Sequence, residues 1–246
     1  MRLNPSYART LIDEHSYVAA VQSVQDWLDS VDHALDSSKS SSSKSSPPIF
    51  ALTRPPGHHA CKSKGMGGCL LNAAAIAAFY ALDQPNVNNV AILDIDAHHG
   101  NGIAHCIQDE ARIRYCSIHE DRGKGKASFI EQKNDEDDDD PRKPDAEDCG
   151  PLKNIYNVNL PSGTGWENGY KDALVDEALP FLLLGDGTSN APDLLIVSAG
   201  FDALDTDWSS KLKLQPSDFG QIGRVLRSKF DTRIAMGLEG GYSFEN

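Results

Sequence analysis

Asp94, Asp96, His98, His99 and Asn101 crowd into eight residues of VAILDIDAHHGNG, positions 90–102. Carboxylates and imidazoles are costly to bury unless something pairs with them, and a metal ion with supporting hydrogen bonds would pair this many. Asp96 and His98 are one residue apart, so an extended segment can turn both to one side. Asp202, in the separate stretch SAGFDA, offers a third donor. One imidazole and two carboxylates suit zinc and tolerate other divalent first-row ions. Three protein ligands also leave a position for water and a substrate oxygen, so the chemistry would be hydrolysis. Taken alone, Asp-x-His is more often a hydrogen-bonded loop cap.

Hydrolysis needs a base, and His58-His59 follow the break Arg54-Pro55-Pro56-Gly57. They offer a general base and an electrostatic partner. A base near neutral needs its far ring nitrogen held, for which Asp94 and Asn101 are suitable acceptors. Tyr242 sits in a Gly-rich turn, where a phenol could donate to a developing oxyanion. A tandem His-His is more often a packing feature, and a lone GGY only a turn. What sets these groups apart is that each follows an apolar run.

Those runs must position them. Val90-Ala91-Ile92-Leu93 reads as a buried parallel-type strand, with further strands at 49–53, 112–118, 155–160, 193–198 and 233–238. Helices are expected at 10–35, 70–82, 168–184 and 217–230. In the first, Val21, Val24, Leu28, Val31 and Leu35 form the apolar stripe. Residues 65–68 read as a flexible loop. Strands alternating with helices predict an α/β fold: a mostly parallel sheet flanked by helices, with one composite site along the carboxyl ends of the strands.

At 246 residues and 39% hydrophobic, the chain suits one domain with a full core. Two low-complexity insertions are expected, Ser/Lys-rich at 37–46 and acidic at 120–150. The formal charge of −13 comes from 23 basic and 36 acidic residues, with an acidic run at 135–140. No basic stripe is visible, which argues against nucleic-acid binding. The five cysteines form no CxxC pair, so neither thiolate zinc nor a disulfide framework is expected. No run approaches the ~18 apolar residues of a membrane span. With no targeting signal legible, the expectation is an intracellular protein, cytoplasmic or nuclear, with an organelle as the alternative.

RPPGHHA (54–60), LDIDAHHGNG (93–102), SAGFDA (198–203) and LEGGY (238–242) together resemble the histone deacetylase family, within the arginase/deacetylase fold. Asn101, Glu239 and the Gly-Phe before Asp202 look like its class II branch. The resemblance implies a single deacetylase domain, truncated at both ends, acting on acetyl-lysine in proteins. It implies zinc on Asp96, His98 and Asp202. His59 would be general base and then proton donor, with His58 as its electrostatic neighbour. Asp94 would orient His58, Asn101 would orient His59, and Tyr242 would polarise the acetyl carbonyl. It further implies a structural potassium ion shared by Asp94, Asp96 and His98 with the Ser117 and Ile118 carbonyls. Corepressor-type protein partners and a role in chromatin regulation also follow from it.

The chain departs from that pattern at the substrate tunnel. Gly67-Gly68-Cys69 stands where the family has Gly-Phe-Cys, removing an aromatic wall, and in the acidic stretch only Phe129 could replace the opposing one. A widened tunnel keeps an acetylpolyamine or other small-molecule amidohydrolase as the alternative. A catalytically impaired scaffold of the same fold is a third reading. A two-metal ureohydrolase would want aspartates at 100 and 204, where the chain has Gly100 and Leu204.

Overall fold

A computed structural model describes residues 12–36, 47–121, 150–184, 191–230 and 233–243. The expected insertion at 37–46 lies outside them, as does 122–149 of the acidic stretch, Phe129 included. In chain order the regular elements are α1 (Ser16–Leu35), β1 (Ile49–Ala51), α2 (Ala73–Leu82), β2 (Val90–Asp94), α3 (Asn101–Ile107), β3 (Ile113–Glu120) and β4 (Ile155–Leu160). After helical turns from 166 come α4 (Leu179–Leu184), β5 (Leu194–Ala199), α5 (Pro216–Lys229) and β6 (Arg233–Leu238).

The strands form one sheet in the order β1-β6-β5-β2-β3-β4, and every described pairing is parallel. β2 and β5 lie in the middle, with every residue buried. Their unbroken apolar runs are what a strand covered on both faces requires. Alternate residues serve opposite cores. Leu93, Leu195 and Val197 face the 166–184 turns and α5, whereas Ile92, Leu194 and Ile196 face α1, α2 and α3.

From β2 the chain winds outward through β3 and β4, then returns to the other side of β2 as β5. The sheet therefore changes winding direction between β2 and β5. At such a switch point the loops leaving two adjacent strands diverge and open a crevice at their carboxyl ends. Asp96 leaves one of these strands and Asp202 the other.

Several local expectations need correction. The buried face of α1 is Ala20, Ser23, Trp27, Ser30, Val31 and Ala34, while Val21 is 43% exposed and Val24, Leu28 and Leu35 are half-buried. Trp27 sets this face, because its indole fills the space left by Gly237 on β6, where a Cβ would collide with the ring. Small residues on either side let α1 lie close. α2 starts at Ala73 rather than 70, since the Asn72 side chain caps it by accepting the Ala75 N–H at 3.0 Å. Residues 61–69 form two tight turns, bridged at Cys61–Lys64 and Met66–Cys69, and the expected loop at 65–68 lies within them. Glu120 belongs to β3 and is buried, its carboxylate accepting from Ser162 Oγ at 2.6 Å. The turns at 166–184 are not one regular helix. Asn168 and Gly169 break them, and wide turns at Ala173–Ala178 precede Pro180, which cannot donate a helical hydrogen bond.

Candidate active site

β2 ends at Asp94, and the next residues keep alternating. Ile95 and Ala97 enter the core, while Asp94, Asp96 and His98 line the crevice side. The Ile95 N–H still bonds Ser198 O of β5 at 3.0 Å, holding this loop on the sheet. Asp96 Oδ1 accepts the His98 N–H at 2.9 Å and lies 3.0 Å from His98 Nδ1. From the β5 loop, Asp202 Oδ1 accepts the Ala97 N–H at 2.7 Å, and its Oδ2 is 2.8 Å from the same His98 nitrogen. One ligand atom from each of Asp96, His98 and Asp202 lies within 4.8 Å of the others, the only such metal-compatible cluster among the described residues.

The donors fit a divalent cation. Two carboxylates aim at one ring nitrogen that can offer at most one proton, and all three side chains are buried. Burial works against charging His98, but hydrogen bonds to Asp202 and Asp96 outweigh it and raise its pKa to about 9. Burial and the neighbouring Asp96 push Asp202 up to about 6. Asp94, Asp96, Asp202 and Glu239 are all fully buried, while Arg114 is the one buried Lys or Arg among the described residues. The charged His98 and His58 rings offset only part of that negative charge, and a cation would offset more. At Gly240 a Cβ would stand 2.5 Å from Asp96 Oδ2 and 2.8 Å from Asp202 Oδ2, so only glycine lets the backbone approach this closely. The Gly240 N–H uses that approach to donate to Asp96 Oδ2 at 2.9 Å.

The turn before α2 brings in the histidines. His58 Nδ1 is 3.2 Å from Asp94 Oδ2, its Nε2 is 3.7 Å from Asp96 Oδ2, and its ring centroid is 4.0 Å from that of His59. His59 Nδ1 is 2.8 Å from Asn101 Oδ1 at the start of α3. The two imidazoles are driven apart in proton affinity. Burial opposes charge on His58, but Asp96, Asp94 and Glu239 raise its pKa well above the usual value. His59 is held well below it by burial, then by the charges on His58 and His98. A charged imidazole beside a neutral one suits an electrostatic partner beside a base.

Tyr242 follows β6. Its N–H donates to Asp207 Oδ2 at 2.6 Å, and its ring lies 5.8 Å from that of Trp208. Burial and the carboxylates of Asp96 and Asp202 push its phenol well up, so it stays protonated as a donor. Ser117 pairs with Asp94 in the β2–β3 register, with Ile118 next, both fully buried. At Gly68 the backbone φ is +80° and a Cβ would meet nothing within 4 Å, so the wall position stands open.

Three supporting residues escaped the motif reading. Tyr115 Oη lies 3.0 Å from Asp94 Oδ2. Asp207 gathers the N–H groups of Tyr242 and Ser243. Glu239 accepts from the backbone before the histidines. Tyr115 lies inside a strand and carries no local signal. Glu239 does carry one, an acid immediately past an apolar strand, although it served above only as a mark of resemblance.

A parallel sheet whose switch-point crevice holds an Asp-His-Asp donor set beside a His pair can hold a metal ion next to a neutral base. The Histone deacetylase domain model matches residues 3–246, and the chain belongs to that family. An uncharacterized protein of Synechocystis sp. is 39% identical over 239 residues, covering 96% of this chain and 67% of the relative. The crystal structure of the HDA15 HD domain superposes with a TM-score of 0.77 at 28% identity, covering 97% of this chain and 61% of that one. An acetylpolyamine aminohydrolase from Burkholderia pseudomallei gives 0.72 at 31% identity, covering 94% and 59%. Among curated relatives the share of their length spanned falls as low as 18%.

Proposed function

We propose that the chain is a zinc-dependent deacetylase hydrolysing acetyl-lysine amides in proteins, histones among them. The observation that carries this reading is the convergence of Asp96, His98 and Asp202 beside a neutral, hydrogen-bonded His59. A divalent ion held by that triad supplies Lewis acidity and makes water acidic enough to ionise near neutral pH. His59 takes the proton of the attacking water and returns it to the leaving amine. Asn101 fixes its ring through Nδ1, which leaves Nε2 for that exchange. His58, kept charged by Asp94 and Asp96, steadies the negative charge that grows on the reacting carbon's oxygens. Tyr242 donates to the former carbonyl oxygen. Potassium, shared by Asp94, Asp96 and His98 with the Ser117 and Ile118 carbonyls, belongs to the same reading. The excess of buried carboxylate supports a second cation.

A second reading is favoured by one feature. The open space at Gly68 and the likeness to an acetylpolyamine aminohydrolase support a small acetylated amine as substrate. Hydrolysis of an acetyl-lysine peptide and an acetylpolyamine, measured side by side with and without chelator, separates the two. The proposal expects peptide turnover to exceed polyamine turnover, with both lost to chelator and restored by zinc. Faster polyamine turnover would transfer the assignment to the second reading, and chelator-resistant turnover would remove the metal from the mechanism.

A further inference from the structure

We propose that Glu239 is a positioning residue that aims the His58–His59 pair from behind. Its carboxylate is fully buried. Oε2 instead accepts the N–H groups of Gly57 at 2.6 Å and His58 at 3.1 Å. Oε1 accepts from Ser198 Oγ, at the end of β5, at 3.1 Å. The two backbone donors follow Pro55-Pro56, lie in a buried turn outside any strand, and would otherwise be left unpaired at full desolvation cost.

The carbonyls of the same two residues are also held, Gly57 O by the Ala60 N–H at 2.9 Å and His58 O by the Ile103 N–H at 3.1 Å. The peptide carrying His58 is thus clamped on both sides, with Glu239 supplying the whole donor-side grip. Next in the chain, the Gly240 N–H holds Asp96, and Tyr242 follows two residues later. One short turn therefore sets the His pair, a metal-facing carboxylate and the phenol relative to one another. A carboxylate rather than an amide or hydroxyl suits this place, because it can accept all three hydrogen bonds without offering a donor.

The test compares E239Q with E239L. Glutamine keeps the volume and an acceptor oxygen for the two N–H groups, and Ser198 Oγ can turn to accept its amide. Leucine fills the space and accepts nothing. Amide hydrogen exchange at Gly57 and His58, zinc stoichiometry, and kcat and KM on an acetyl-lysine peptide are measured for each. E239L is expected to lose protection at both amides and about 10²-fold in kcat, the scale of a small misplacement of a reacting group, with KM and zinc content held. E239Q is expected to keep the protection and stay within about tenfold of the parent kcat, the loss of roughly 1.4 kcal/mol or less. Equal losses in both variants, unchanged exchange in E239L, or a kcat loss that tracks zinc loss would each overturn the assignment. If E239L does not fold, E239M, which keeps the length but offers no oxygen to either N–H, takes its place under the same readouts. The kinetic arm rests on the deacetylase reading. The exchange arm does not, so a parent protein inactive on acetylated substrates would sink that reading and leave the clamp to be judged by exchange.

Discussion

In the proposed mechanism His59 is the base, and its neighbours leave it neutral enough for that part. Burial and the positive His58 ring keep it neutral, and Asn101 fixes which nitrogen faces the crevice. Replacing it with alanine should lower turnover by ~10²–10⁴-fold, the usual contribution of a general base, while bound metal is retained. Steady-state kinetics with metal analysis checks this, and an unchanged rate would remove His59 from the role. His98 predicts a pH dependence. Without a cation its ring holds a proton up to about pH 9, and a cation must displace that proton. Metal affinity should therefore rise with pH, by about tenfold per unit between 6 and 9 and more steeply below 6, where Asp202 is protonated too, and level off above 9. Chelator competition at several pH values reads this directly, and a flat profile would contradict it. Asp96, His98 and Asp202 were legible because acids and imidazoles rarely follow apolar runs without a task. Tyr115 and Asp207 were not, since a strand tyrosine and a loop aspartate find their partners only after folding.

At the scale of elements, the boundaries of β2, β4 and β6 could be read almost residue for residue, because β2 and β6 are largely apolar runs that end at an acid and β4 alternates apolar and polar residues up to Pro161. The face of α1 could not. Helical spacing favoured its valines and leucines, but packing is decided by which large side chain has a matching hole, and the hole for Trp27 lies at Gly237, some two hundred residues away. Trp27→Ala should cost about 3–5 kcal/mol of stability, the range for emptying a fully packed aromatic site. Gly237→Ala should also destabilise, since a methyl group there meets the indole. Denaturant unfolding of both variants tests the pairing. A loss below about 1 kcal/mol for the tryptophan variant would mean that α1 is not anchored there. The wide turns at 173–178 were equally hidden, because periodicity reports that a helix exists but not how its hydrogen bonds adjust before Pro180.

For the whole molecule, the site follows from topology. Reversal of winding between β2 and β5 puts the Asp96 and Asp202 loops at the mouth of one crevice, β6 delivers Gly240 and Tyr242 beside it, and the turn before α2 closes it with the histidines. Alternation of strands and helices announced the parallel sheet. The strand order did not appear in the sequence, because it is set by long-range crossovers rather than by local pattern. No helix among the described residues is long and apolar enough to cross a membrane. The claim on which the account turns is that one divalent cation is held by Asp96, His98 and Asp202 together. X-ray absorption at the zinc edge on the zinc-loaded protein, with Asp202→Asn alongside, measures it most directly. One zinc per chain is expected in a shell of one nitrogen and oxygens at ~2.0–2.2 Å, with binding weakened at least tenfold in the variant. A sulfur-containing shell, or zinc bound equally well by Asp202→Asn, would contradict it.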